Sequence, residues 1–239
     1  MKDPVVILHG WGYFNPGQHR FLEVKKLLER KKYIVFTPDL PGFGSNILKK
    51  EQLFFEDYVD FVKEFLEKQK LKRVTLIGHS FGGRIAIAFA TSHPTYISKL
   101  ILVAPSGIPH VLSLKKRFVQ FLAKQAKHIF ILPFTQLLYK PARKLLYKSI
   151  GEMDYYKSGN LTKTFKNVYA VSILNYLKKI TQPTLILWGE KDTFVPVADG
   201  VLMHQRIGNS QLVIEKNEGH KFPYENPKLF VKDILSFLE

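Results

Sequence analysis

The chain has 239 residues, 46% of them hydrophobic and 23% charged, with 36 Lys and Arg against 20 Asp and Glu for a net charge of +16. That length and balance fit one folded domain carrying an insertion, and they exclude disordered and fibrous classes. Cysteine is absent, which excludes disulfides, thiolate nucleophiles and thiolate metal sites.

The N-terminal sequence MKDPVVILHG has an apolar run of only four residues, VVIL, before His9. A secretory signal needs roughly 7–15 apolar residues and a membrane span about 20, so neither is expected and a cytosolic chain is. VVILHG (5–10) is the first of six short apolar, β-branched runs, followed by YIVFTPDL (33–40), RVTLIGHS (73–80), KLILVAPSG (99–107), PTLILWGEKD (183–192) and QLVIEKNEGH (211–220). Runs this continuously apolar suit strands buried on both faces of a parallel sheet. Between them, residues 52–69 place Leu53, Tyr58, Val62, Phe65 and Leu66 on one helical face. Strands alternating with such helices predict an α/β fold, a mostly parallel central sheet flanked by helices.

Residues 106–180 interrupt the alternation. They hold 14 Lys and Arg against Glu152 and Asp154, a balance of +12, leaving +4 for the rest of the chain. Pro133 and Pro141 divide them into helical pieces such as 112–128 and 135–149. The expected organisation is a core of residues 1–105 and 181–239 with an inserted α-helical cap at 106–180.

Functional groups in open parallel sheets gather at the carboxyl ends of the strands. The stretch GHSFGG (78–83) lies at such an end, where a strand passes straight into a helix. This G-x-S-x-G turn is a nucleophile elbow, with glycines relieving clashes around a strained Ser80 and with the helix N-terminus favouring negative charge. A serine nucleophile needs a base and an orienting acid. His220, in EGH after the last run, is the expected base, and Asp192, in WGEKD, the expected acid, with Glu190 as the alternative. The order Ser, Asp, His suits this architecture. An oxyanion hole needs two backbone donors, expected at Phe81 N–H and, from the loop HGWG (9–12), at Trp11 N–H. Gly10 and His79 are expected to border the substrate, although the elbow turns the His79 ring away from the reacting centre. His19, His93, His110, His128 and His204 read as surface or structural residues. No metal-ligand spacing or phosphate loop is visible, so neither metal nor cofactor is expected.

Taken in order, HGWG, DLPGFGSN (39–46), GHSFGG, WGEKD and the GH-x-x-x-x-E-N-P ending at Pro227 resemble the α/β-hydrolase fold superfamily over essentially the whole chain. The resemblance implies a Ser-His-Asp carboxylic ester hydrolase acting through an acyl-enzyme on small to medium esters, with lactones also within its chemistry. Ser80 stands where the dehalogenases and epoxide hydrolases of the superfamily use aspartate. The carbon–carbon hydrolases of aromatic degradation also resemble the chain, but they usually carry Asn before the serine and Trp after the histidine, where this sequence has His79 and Lys221. A non-catalytic binding relative is the alternative of another class. HGWG with a basic cap is similar, too, to the esterases that act on pimeloyl methyl esters held by an acidic carrier protein, which implies such a carrier as a partner. An anionic membrane surface is the other partner that LKKRFVQFLAKQAKHIFIL (114–132) suits, and nucleic acid is not expected.

Overall fold

In the computed structural model, which describes residues 2–12, 17–48, 50–110, 144–145, 147 and 158–239, the six apolar runs become six strands: β1 (Val5–Leu8), β2 (Val35–Phe36), β3 (Val74–His79), β4 (Ile97–Val103), β5 (Thr184–Gly189) and β6 (Ser210–Glu215). They form one sheet in the order β2-β1-β3-β4-β5-β6, with every neighbouring pair parallel. The central strands are buried on both faces because their residues alternate between two cores. Val6, Leu8, Leu76, Leu102 and Trp188 face one, and Val5, Ile7, Ile77, Val103 and Leu187 face the other.

Helices cover both faces: α1 (Gly17–Arg20), α2 (Leu22–Arg30), α3 (Phe55–Lys68) and α4 (Phe81–Ser92) precede or follow the early strands. After β4 come α5 (Thr162–Tyr169) and α6 (Leu174–Leu177), then α7 (Val197–Arg206), α8 (Phe222–Glu225) and α9 (Pro227–Leu238). The apolar stripe predicted for 52–69 is that of α3, whose Tyr58, Val62 and Leu66 are buried.

Two expectations change at the sheet edges. The run 33–40 contributes only Val35 and Phe36 to the sheet, since the chain leaves it at Thr37 and Pro38 and Ile34 points to solvent. Strand β6 is an edge strand of half-buried and exposed residues rather than a doubly buried one. The predicted helical pieces 112–128 and 135–149 lie outside the described residues, apart from Lys144, Leu145 and Tyr147. Residues 158–180 carry α5 and α6, and Ile173 N–H donates to Gly107 O at 3.1 Å, which ties this segment to the chain just after β4.

Helix α4 is apolar almost all round and buried over Phe81–Ala90, so it lies directly on β1 and β3. A Cβ at residue 82 would meet Leu8 O at 2.3 Å and His9 O at 2.7 Å, and one at residue 78 would meet Gly82 O at 2.6 Å. These contacts are backbone against backbone and have no flexible side chain to move aside. Gly82→Ala is therefore expected to destabilise the fold by about 2–4 kcal/mol or more, read as a lowered urea midpoint. A variant as stable as the parent would show that α4 does not sit this close.

Candidate active site

The elbow takes the form its sequence predicts. Strand β3 ends at His79, and Ser80 caps α4 with φ 52° and ψ −111°, a left-handed backbone that costs a non-glycine residue about 1–3 kcal/mol. Neighbouring strands hold it there. Ser80 N–H donates to Val103 O at 2.9 Å, while Ser80 O accepts from Arg84 N–H at 3.1 Å and Ser106 N–H at 3.2 Å.

Asp192 and His220 come together across the ends of β5 and β6. His220 Nδ1 donates to Asp192 Oδ2 at 2.7 Å, with the two side chains 10% and 0% exposed. The other carboxylate oxygen, Oδ1, accepts from Phe194 N–H at 2.8 Å and Val195 N–H at 2.9 Å. Trp188 Nε1 holds this loop by donating to Val195 O at 3.1 Å. A buried carboxylate with three donors is satisfied and aimed, and a carboxylate partner fixes the imidazole with its proton on Nδ1 and Nε2 free to act as a base. Glu190 is turned away, exposed, and accepts from Asn217 N–H at 3.1 Å. Among the described residues, Ser80 Oγ makes no hydrogen bond, so the contact between hydroxyl and imidazole is open in this structure. Phe194, 59% exposed, lies beside the His220 ring with centroids 5.2 Å apart.

The HGWG loop, the candidate oxyanion loop, lies beside the elbow. A Cβ at residue 10 would sit 3.2 Å from Ser80 Cβ, so the Gly10 backbone borders the candidate nucleophile. Neither Trp11 N–H nor Phe81 N–H has an acceptor among the described residues. The Trp11 ring packs edge-on against Phe43, Phe81 and Phe165 at 5.0–5.1 Å.

His79 departs from the expectation that it borders the substrate. It is 2% exposed, lies beneath the site, and donates from Nε2 to the His220 carbonyl at 2.9 Å. Its position at the end of a doubly buried strand leaves the ring no route to solvent. Three further residues support the site, although sequence reasoning gave them no role. His9 accepts from Leu40 N–H at Nε2 (3.0 Å) and donates from Nδ1 to Gly10 O (2.8 Å), holding the HGWG loop. Arg20 approaches the Gly10 and Trp11 carbonyls at 3.5 Å. Buried Arg84 donates to Val168 O at 3.1 Å and Val171 O at 2.8 Å, with its guanidinium 4.8 Å from the Tyr169 ring. Only the His of HGWG offered a signal in advance, because a histidine ahead of such a loop has backbone groups within reach. Elsewhere His110 pairs with Asp199 at 2.9 Å and His93 stacks on Phe89. Among the described residues no group of three or more His, Asp or Glu could hold a metal ion, and no helix is long and apolar enough to cross a membrane.

The comparisons agree with this architecture. The model of the alpha/beta hydrolase fold family matches residues 3–227. The uncharacterized hydrolase YugF of Bacillus subtilis is 27% identical, the match covering 100% of this chain and 90% of that protein. The monoacylglycerol lipase ABHD6 of Homo sapiens is 26% identical over 99% of this chain and 75% of its own. The solved structure of a mutant of the meta-cleavage product hydrolase CumD from Pseudomonas fluorescens superimposes with a TM-score of 0.72 at 19% identity, covering 98% of this chain and 90% of that one.

Burial lowers the pKa of His9 from its ordinary 6.5 to about 4, and it pushes His79 well below the histidine range as well. The unfolded chain then binds protons at a higher pH than the folded one. Stability from this source is complete above about pH 6.5 and is lost as pH falls toward 4, on the order of 3 kcal/mol for His9. Urea unfolding of the parent chain is expected to weaken more steeply over this window than that of His9→Gln. Equal slopes for the two chains would place the His9 proton elsewhere.

Proposed function

Because the chain belongs to the α/β hydrolase fold family, we propose that it is a carboxylic ester hydrolase working through an acyl-enzyme on Ser80. Ser80 Oγ attacks the ester carbonyl carbon while His220 Nε2 takes the hydroxyl proton, and the tetrahedral oxyanion forms against Trp11 N–H and Phe81 N–H. The C–O bond to the alcohol then breaks, and the alcohol leaves with the proton from His220. Water repeats both steps on the acyl-enzyme, releasing the acid and restoring Ser80. Asp192 holds the imidazole and stabilises the imidazolium formed in each half-reaction. The observation that carries this reading is the 2.7 Å bond between His220 and a fully buried Asp192, because it leaves the base in one tautomer with Nε2 free.

Esters suit the site better than amides because an alcohol leaves more readily than an amine. A lactone differs only in that its leaving group stays attached. The monoacylglycerol lipase among the relatives is itself named for ester cleavage. A carbon–carbon hydrolase is the weaker reading: at 19% identity the likeness to CumD carries the fold alone. His79 and Lys221 also stand where the carbon–carbon hydrolases that the sequence resembles usually have Asn and Trp.

A fluorophosphonate probe is expected to label Ser80, and p-nitrophenyl esters of graded acyl length to be hydrolysed only by chains that keep it. Asp192→Asn is expected to lower kcat by roughly three to four orders of magnitude without changing the unfolding transition, whereas Glu190→Gln leaves kcat nearly unchanged. Full activity in Asp192→Asn would assign the acid elsewhere, and an accessible but unlabelled Ser80 would remove the nucleophile.

A further inference from the structure

His79 touches each part that must be in register for the proposed chemistry. It precedes Ser80 in the chain, and its Nε2 lies 2.9 Å from the His220 carbonyl oxygen. Its Nδ1 would lie 2.9 Å from a Cβ at residue 10, so the ring fills the space beneath the oxyanion loop. The His79 and His220 ring centroids are 4.9 Å apart. Phe21 and Tyr224 close the remaining sides with edge-on contacts at 6.1 and 5.6 Å.

These contacts determine the ring's protonation. A carbonyl oxygen only accepts, so Nε2 carries the hydrogen. Nδ1 is buried with no hydrogen-bond partner, which makes it the bare nitrogen of a neutral imidazole. A second proton would sit in an apolar pocket with no acceptor, and burial together with the charge of His220 opposes it. The His79 ring therefore stays uncharged even while His220 becomes an imidazolium 4.9 Å away.

We propose that His79 is a positioning residue, which through its Nε2–H bond to the His220 carbonyl holds the base loop to the nucleophile strand and so sets the separation of His220 Nε2 and Ser80 Oγ. This inference rests on the ester-hydrolase reading. Asp192 fixes the rotation of the imidazole, and His79 fixes where the backbone carrying it stands. The loop has other ties to the turn after β5, including Lys191 N–H donating to Glu218 O at 2.8 Å, but the His79 bond runs to residue 220 itself from the residue next to the nucleophile.

Glutamine and asparagine separate this role from packing. The Gln amide reaches the place of imidazole Nε2, whereas the Asn amide stops near Nδ1, one bond short of the carbonyl. Both are neutral and polar, so a shared loss of stability cancels in their ratio. With a p-nitrophenyl ester, His79→Gln is expected to keep kcat within about threefold of the parent, and His79→Asn to lose roughly 10–100-fold in kcat with KM within about twofold. Acylation and deacylation should slow by the same factor, since His220 serves both. Equal kcat in the Asn and Gln variants, high or low, overturns the inference, as does a loss confined to KM. If the parent chain shows no ester hydrolysis, or if Ser80→Ala is as active as the parent, the ester-hydrolase reading itself fails and this inference falls with it. Ser80-dependent hydrolysis with Asn equal to Gln removes the inference alone.

Discussion

The left-handed backbone at Ser80 is the constraint on which the rest of the site depends. A residue with a side chain adopts φ near +50° only when its surroundings over-determine it. Here the surroundings are β4, whose Val103 carbonyl accepts from Ser80 N–H, and the Ser106 and Arg84 N–H groups, which both donate to the Ser80 carbonyl. Three backbone groups thus converge on one residue. Their convergence requires α4 to lie against β1, which in turn requires the absence of a Cβ at residue 82. The glycines of GHSFGG serve that approach more than any flexibility of their own.

Around this fixed point the histidines divide by tautomer. His9 carries its proton on Nδ1, His79 on Nε2 and His220 on Nδ1, each determined by whether its partner is a carbonyl, a carboxylate or a backbone N–H. His9 and His79 are buried and stay neutral, which makes them rigid two-ended connectors. His220 keeps some exposure and has a carboxylate to stabilise its charged form. The same side chain thus serves as strut in two places and as candidate base in a third, and the environment alone separates the roles.

This division also marks how far the fold and site are legible in the sequence. Hydrophobic continuity reports burial, so the core strands, the α3 stripe and the elbow are readable residue by residue. Chain order and strand-end position then single out Asp192 over Glu190 and His220 among eight histidines. What periodicity does not encode is the direction of a hydrogen bond across the sheet. His79 neighbours Ser80 and the elbow turns its ring away from the reacting centre, as the sequence indicates, but the bond from its Nε2 to the His220 carbonyl is not readable there. Arg84 belongs to no motif, and because α4 is enclosed all round its guanidinium meets backbone carbonyls and the Tyr169 ring. The brevity of β2 is likewise a matter of where the 37–48 loop must travel, which its own apolar residues do not state.

Arg84 shows how the 158–180 segment is coupled to the candidate nucleophile. It lies one turn beyond Ser80, and its own N–H donates to the Ser80 carbonyl while its guanidinium binds the carbonyls of Val168 and Val171. A buried cation without a carboxylate is costly, and it persists because carbonyl dipoles and an aromatic face replace water around it. Those acceptors belong to the end of α5 and the turn after it, and α5 presents Phe165 and Tyr169 to the Trp11 ring of the oxyanion loop. Displacement of α5 would leave the Arg84 charge without acceptors and Trp11 without two of its aromatic neighbours. The turn at Ser80, the HGWG loop and α5 with the turn after it are consequently packed against one another through Arg84 and Trp11.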